Sequence, residues 1–408
     1  MGVTEPKSAS IAGAPDGLIR VMVVDDSVVV RGLISRFLKA DANVDVVASV
    51  ADGEMALRAL ESKDIDLVLL DIEMPRMDGL TALPKMIELR NDLQVIMVST
   101  LTLKNAEISL KALELGATDY ITKPSAEGSL HSAEEFQREL IQKVVTLGRV
   151  ARRRRLAAAA ETGAGVTPTD DSEVVRERQK VANRTMKTVL DSMPLGDFLP
   201  PEPKAEAPLR PASTLKPVIL AIGSSTGGPQ ALFEVVSGLG TDIGVPILIT
   251  QHMPATFTTI LADHIAKASG LPCTEAEDGA ALESGHVYLA PGDHHMLVTN
   301  TSGRPSVRLT DDEPVNFCRP AVDPMLRSVA EVYGGKVLTI ILTGMGQDGL
   351  RGSETIVDAG GTIIAQDEET SVVWGMPGAV ATRGLCSAVL PLTDIAAHAR
   401  QLVRGGSA

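Results

Sequence analysis

Three aspartates, a serine and a lysine are the first residues whose types and positions suggest chemistry. Asp25 and Asp26 follow the apolar run Val21-Met22-Val23-Val24, Asp71 follows Leu67-Val68-Leu69-Leu70, and Ser99 follows Val95-Ile96-Met97-Val98. Lys123 stands in Ile121-Thr122-Lys123-Pro124. Carboxylates gathered at adjacent strand ends repel one another unless a hard cation sits among them. Mg²⁺ takes one or two carboxylates and keeps water and phosphate oxygens as its other ligands. One aspartate can then be the nucleophile that accepts a phosphoryl group. Lys123 would bring a compact positive charge to the phosphate and Ser99 a hydroxyl donor. Each residue alone is an ordinary charge or hydroxyl at a strand end; the signal lies in the set and its order.

A second constellation lies in the other half. Gly223-Ser224-Ser225-Thr226-Gly227-Gly228 separates the strand-like Val218–Ile222 from an amphipathic segment, Gln230–Ser237. Small residues let the backbone turn sharply, and a helix N-terminus offers N–H groups to an anion. This stretch has neither the Gly-Lys-Ser/Thr ending of a phosphate loop nor the G-x-S-x-G frame of the common esterase elbow, so alone it leaves a nucleophile, a nucleotide loop and a plain turn open. Two later loops favour the nucleophile. His252 follows the run Val245–Thr250 in Gln251-His252-Met253-Pro254, and Asp348 follows Val337–Leu342 in Thr343-Gly344-Met345-Gly346-Gln347-Asp348-Gly349. A serine, a histidine and an aspartate at three parallel strand ends could form a triad in which histidine takes the serine proton and aspartate fixes its tautomer. His286, His294 and His295 are rival histidines, but they lack the helical i, i+4 pairing of a common zinc site.

These positions require strands that end on one edge. Apolar runs rich in β-branched residues alternate with helix-period segments such as Val29–Lys39 and Met55–Glu61, which implies parallel sheets with helices on both faces. Ligands of such sheets collect at the carboxyl ends of the strands. At 408 residues the chain is long for one core, and two domains are expected. The expected divisions are a first domain at 18–136, a linker at 137–214 and a second domain at 215–405. That linker is expected to be helical from Ala133 to Arg152, polar and helical again up to Leu190, and Pro-rich from Pro194 to Pro217.

Composition narrows the function further. A net charge of -14 opposes nucleic-acid binding through the overall field. Arg152-Arg153-Arg154-Arg155 is the exception and reads as a solvated helix end or linker. Cys273, Cys318 and Cys386 form neither a C-x-x-C pair nor a disulfide framework, and reduced, mostly buried thiols are expected. No apolar run approaches the roughly 20 residues of a membrane span. Met1 to Asp16 lacks the order of a secretory signal, and a cytoplasmic location is expected.

Residues 20 to 135 resemble a two-component response-regulator receiver, on Asp25-Asp26, Asp71, Met74-Pro75-x-Met77-Asp78-Gly79, Ser99 and Lys123. The resemblance implies a doubly wound, five-stranded, flavodoxin-like fold and phosphotransfer from a histidine kinase to Asp71. It also implies Mg²⁺ held by Asp25, Asp26, Asp71 and the backbone carbonyl of Glu73, with Tyr120 as the aromatic switch. From about Lys216 to Arg404 the chain resembles the catalytic domain of the CheB-type chemotaxis protein-glutamate methylesterases, on the Ser225 loop, His252 and Gly344-Met345-Gly346-Gln347-Asp348-Gly349. The implied roles are Ser225 as nucleophile, His252 as base, Asp348 as third member and the Met345 N–H as oxyanion donor. Cys318 stands where a histidine is more usual, before Arg319-Pro320-Ala321-Val322-Asp323. The implied substrate is a γ-glutamyl methyl ester on a chemoreceptor, with glutamine deamidation as a related activity and no cofactor for the esterase step. Two rival readings are a DNA-binding regulator, which a basic helix-turn-helix output would mark, and a receiver-regulated scaffold or hydrolase acting on another partner.

Overall fold

The computed structural model of the chain describes residues 17–100, 102–123, 130–161, 208–301 and 303–405. The first sheet is built from short, largely apolar strands: β1 (Ile19–Val24), β2 (Val44–Val50), β3 (Leu67–Asp71), β4 (Gln94–Ser99) and β5 (Asp119–Thr122). They pair in parallel in the order β2-β1-β3-β4-β5, the expected five-stranded doubly wound arrangement. All of β3 and β4 is buried, as strands covered on both faces require. The one strand not expected, β2, lies at the edge, where its Val-Asp-Val-Val-Ala-Ser-Val sequence needs only partial cover.

The helices are α1 (Val28–Lys39), α2 (Gly53–Ser62), α3 (Gly79–Leu89), α4 (Leu103–Glu114) and α5 (Leu130–Glu161). Ser27, Asp52, Asp78 and Thr102 cap the first four by accepting a backbone N–H. Gly79 is needed for close packing: a Cβ there would lie 2.0 Å from the carbonyl oxygen of Asp71.

Two expectations about the end of this domain are corrected by α5. Phe136, Leu140, Val144 and Leu147 recur at helical spacing and are buried against the sheet, so the boundary expected at residue 136 falls within a packed helix. Residues 137–161 of the expected linker belong to that helix. Nor are the four arginines a solvated helix end. Arg152 donates to Leu18 O at 2.6 Å, and Arg155 pairs with Asp64, Asp66 and Asp92 at 3.3, 3.1 and 3.0 Å. Arg153 pairs with Glu368 at 2.7 Å and Arg154 donates to Ser371 O at 3.1 Å, both in the second domain. Arg152 and Arg155, three apart, share a helix face turned to the first domain, and Arg153 and Arg154 between them reach the second. The polar helical stretch expected up to Leu190, and the Pro-rich piece before residue 208, lie outside the described residues.

The second sheet has seven parallel strands in the order β14-β13-β12-β6-β7-β9-β8. They are β6 (Ile219–Ser224), β7 (Ile247–Gln251), β8 (Cys273–Glu275), β9 (Val287–Leu289), β12 (Val337–Ile341), β13 (Thr362–Gln366) and β14 (Ala388–Leu390). The intervening hairpin of β10 (His295–Thr301) and β11 (Arg304–Thr310) is antiparallel and was not expected. Helices α6 (Gly228–Leu239), α7 (Ala255–Ser269), α8 (Val322–Tyr333), α9 (Leu350–Asp358), α10 (Met376–Thr382) and α11 (Leu392–Arg404) complete the domain. The central strand β6 has β7 on one side and β12 on the other, so the chain order reverses there. Such a reversal opens a crevice at the carboxyl edge.

Candidate functional sites

In the first domain the carboxyl edge gathers Asp25, Asp26 and Asp71. One oxygen from each lies within 4.8 Å of the others, and among the described residues this is the one His, Cys, Asp and Glu cluster able to hold a metal. Lys123 Nζ reaches Asp25 at 2.7 Å and Asp71 at 2.8 Å. Burial drives the Asp71 carboxyl up to about 6, Lys123 opposes the rise, and Asp25 adds to it. Burial would lower the Lys123 ammonium, but the two carboxylates outweigh it and raise its pKa. One lysine thus serves two buried carboxylates, with exposed Asp26 beside them. An all-oxygen donor set with surplus negative charge fits a hard cation such as Mg²⁺. Glu73 follows in the next loop, its carboxylate paired with Lys104 at 2.9 Å. Ser99 ends β4, buried, and accepts from Ser109 Oγ at 3.2 Å.

The second site sits at the reversal. Ser224 and Gln251 are paired in register, so Ser225 and His252 are the next residues out from adjacent strands. Ser225 N donates to Thr343 O at 3.0 Å, which ties its turn to the loop after β12. A Cβ on Gly344 would lie 2.9 Å from Ser225 Cβ, so glycine is needed for that approach. Gly227, at φ 75°, and Gly228 then lead into α6. His252 Nε2 donates to Asp348 Oδ2 at 2.7 Å. Asp348 also accepts from Val322 N, Asp323 N, Gly349 N and Asn316 Nδ2 at 2.6, 3.1, 3.0 and 2.9 Å. Two of these donors are the first N–H groups of α8, a favourable place for a carboxylate. Burial pushes the Asp348 pKa upward, but His252 and the backbone donors outweigh it and hold it below the usual range. His252 is held well above its ordinary range, because the Cys318 sulfur and Asp348 outweigh burial. The Met345 side chain accepts from Thr146 Oγ1 of α5 at 3.5 Å.

The first domain covers this edge. Thr226, next to Ser225, donates to Asp119 Oδ2 at 2.8 Å, and Lys143 Nζ lies 3.2 Å from the same oxygen. Tyr120 is buried and stacks on Phe257 of α7, with ring centroids 4.4 Å apart. Gln230 donates to Leu113 O and Ala117 O at 3.2 and 2.9 Å, and His264 meets Glu114 at 2.8 Å. Leu110, Leu113 and Tyr120 join Phe257 and Leu261 in a continuous apolar cluster.

The structure thus brings Ser225, His252 and Asp348 to one edge and Asp25, Asp26, Asp71 and Lys123 to another. The rival histidines are engaged elsewhere: His286 with Thr274, His294 with Asp311, and His295 with Ala321 N and Glu313 O. Several contacts escaped sequence reasoning. Asn316 and the α8 amides surround Asp348, Cys318 Sγ lies 3.4 Å from His252 Nδ1, and Asp119 and Phe257 reach across the domains. Of these residues, Cys318, Val322 and Asp323 lie in the stretch the resemblance had singled out, whereas nothing in the sequence pointed to Asn316, Asp119 or Phe257.

Fold and site together define a response regulator whose output is an α/β enzyme domain. Residues 21–135 match the family described as response regulator receiver domain, and residues 220–399 match that described as CheB methylesterase. The protein-glutamate methylesterase/protein-glutamine glutaminase of group 2 operon from Rhodospirillum centenum is 52% identical over 400 residues, covering 96% of each chain. The protein-glutamate methylesterase/protein-glutamine glutaminase of Azospirillum brasilense is 50% identical over 412 residues, covering 98% of each. A solved structure, the Thermotoga maritima CheB methylesterase catalytic domain, is 42% identical with a TM-score of 0.45, covering 46% of this chain and all of that one. The chain belongs to the protein-glutamate methylesterase/protein-glutamine glutaminase family of receiver-linked hydrolases.

Proposed function

We propose that this protein is a phosphorylation-activated serine hydrolase that demethylates γ-glutamyl methyl esters on chemoreceptors and deamidates glutamines there, acting in the cytoplasm during sensory adaptation. Ser225 is the nucleophile, His252 the base and Asp348 the group that fixes the imidazole. With Nε2–H bound to Asp348, Nδ1 is the nitrogen that takes the serine proton. Ser225 Oγ attacks the ester carbonyl, and the Met345 N–H stabilises the oxyanion. His252 returns the proton as methanol leaves. It then activates the water that cleaves the acyl enzyme and releases the glutamate carboxylate. With a glutamine side chain the leaving group is ammonia.

The switch is Asp71, phosphorylated by a histidine kinase. Mg²⁺ held by Asp25, Asp26, Asp71 and the Glu73 carbonyl would neutralise charge on the incoming phosphoryl group. Lys123 and Ser99 bind the phosphate, and Tyr120 follows Ser99. A Tyr120 that leaves Phe257 weakens the domain contact and shifts the population towards an uncovered Ser225. One observation carries this reading: the turn bearing Ser225 and the His252–Asp348 pair is tied to the receiver edge by Thr226–Asp119, directly before Tyr120. Methanol release from methylated receptor membranes tests it, with and without acetyl phosphate and Mg²⁺. Wild type is stimulated, Ser225→Ala loses at least about 10³-fold, and Asp71→Asn keeps basal turnover without stimulation. Full activity in Ser225→Ala would falsify the assignment.

A further inference from the structure

We propose that Cys318 is a positioning residue for His252: its thiol occupies Nδ1, the nitrogen that must accept the Ser225 proton, and parks the base until substrate or domain opening displaces it. This rests on the reading of His252 as the base.

The geometry is specific about both ring nitrogens. Asp348 accepts four other N–H bonds besides that of His252, so it is an ionised acceptor and Nε2 carries the proton. Nδ1 therefore faces Cys318 Sγ at 3.4 Å, so the sulfur occupies the nitrogen that must take the serine proton. Both ring nitrogens of His252 are thus engaged by residues other than Ser225. Sulfur makes only weak hydrogen bonds, so it can hold the ring and still yield to a serine hydroxyl at little cost.

The loop that presents the thiol is built for the task. Val315 and Cys318 exchange two backbone bonds, at 3.1 and 2.9 Å, across a turn in which Asn316 and Phe317 both take left-handed φ, 53° and 63°. Two consecutive non-glycine residues in that region are costly and persist only where the surroundings enforce them. Asn316 is anchored to Asp348 and Asp323, at 2.9 and 3.1 Å, and the Arg138 guanidinium of α5 lies 5.2 Å from the Phe317 ring centre. Successive residues of one turn thus touch the triad acid, the receiver helix and the triad base. The titratable groups around His252 are Asp348 at Nε2, Cys318 at Nδ1 and Asp323 behind Asp348. The Cys318 sulfur and Asp348 both favour the protonated ring over the burial that opposes it, so removing the sulfur makes His252 a base at lower pH.

Two measurements on the full chain test this. In the first, the acid limb of kcat/KM for methanol release is compared among wild type, Cys318→Ala and Cys318→Ser. Both variants should move the limb down by about half to one pH unit, with Cys318→Ser closer to wild type in kcat at its optimum because its hydroxyl still holds the ring. A limb that stays in place in both variants overturns the proposal and leaves the Ser225 assignment intact. The second measurement needs no turnover: alkylation of Cys318 by iodoacetamide, followed by peptide mass. Cys273 and Cys386 are buried with thiols pushed up to about 12, which makes them internal controls. His252→Gln should slow Cys318 alkylation at pH 7 by about tenfold. An unchanged rate means that thiol and imidazole are not paired, whatever becomes of the esterase reading.

Discussion

Asp71, the last residue of β3, and Asp348, in the loop between β12 and α9, are both buried carboxylates, and the protein holds them in opposite ways. Asp348 accepts a histidine proton, three backbone N–H groups and the Asn316 amide, and its pKa is depressed. Asp71 has Lys123, which Asp25 shares, and one backbone N–H, and its pKa rises to about 6. The difference lies in what each site awaits. Fixed dipoles that already match a charge need no reorganisation when a reaction begins, which suits a triad acid. An undercompensated cluster is one that a cation would complete and a phosphoryl group would change, which suits the proposed switch.

The sharpest way to break the contrast is Asp348→Asn. An amide N–H facing Nε2 would force the other tautomer, and kcat for methanol release should fall on the order of 10³–10⁴-fold with the fold retained by circular dichroism. A loss below about tenfold would mean that the donor cage around Asp348 serves packing alone.

Next in size is the penalty stored at Asp71. Its folded-state pKa of about 6 exceeds the ordinary 3.8, so between these values the folded chain keeps a proton that the unfolded chain has released. Stability therefore falls as pH rises through that window and stays lower above it. Asp71→Asn should relieve up to about 2–3 kcal/mol at pH 8 and nothing near pH 4. Urea melts at the two pH values, without Mg²⁺, read this directly. Equal effects at both would show that Asp71 is not undercompensated.

The smallest effects concern the seam between the two sites. Thr226→Val removes the bond to Asp119, worth about 1.5–3 kcal/mol for a charged acceptor, and should raise basal methanol release by about tenfold or more while reducing stimulation by acetyl phosphate. Arg153→Ala breaks a half-exposed pair with Glu368 and should change basal release by less than about threefold. If Arg153→Ala proved the larger, the cover would depend on α5 more than on the β5 edge.

Much of this was legible in the residue order. Short apolar runs followed by Asp, Ser or His marked the strand ends of both sheets, because a buried parallel strand must be apolar throughout and its ligands must follow it. The order Asp25-Asp26, Asp71, Ser99, Lys123 and the trio Ser225, His252, Asp348 could be read for the same reason. Strands β2, β8, β13 and β14 and the β10–β11 hairpin were not read from the sequence: partial burial relaxes the apolar demand in β2, local pairing does so in the hairpin, and the other three are short.

What the sequence by itself determined was which side chains lie at the strand ends and the chemistry their types permit, because strand periodicity is a local property. What only the tertiary structure decided was their company. The cage around Asp348, the thiol on His252, the arginines that span both domains and the Tyr120–Phe257 stack join residues far apart in the chain. Such contacts depend on how whole elements pack, and no short stretch of sequence carries that information.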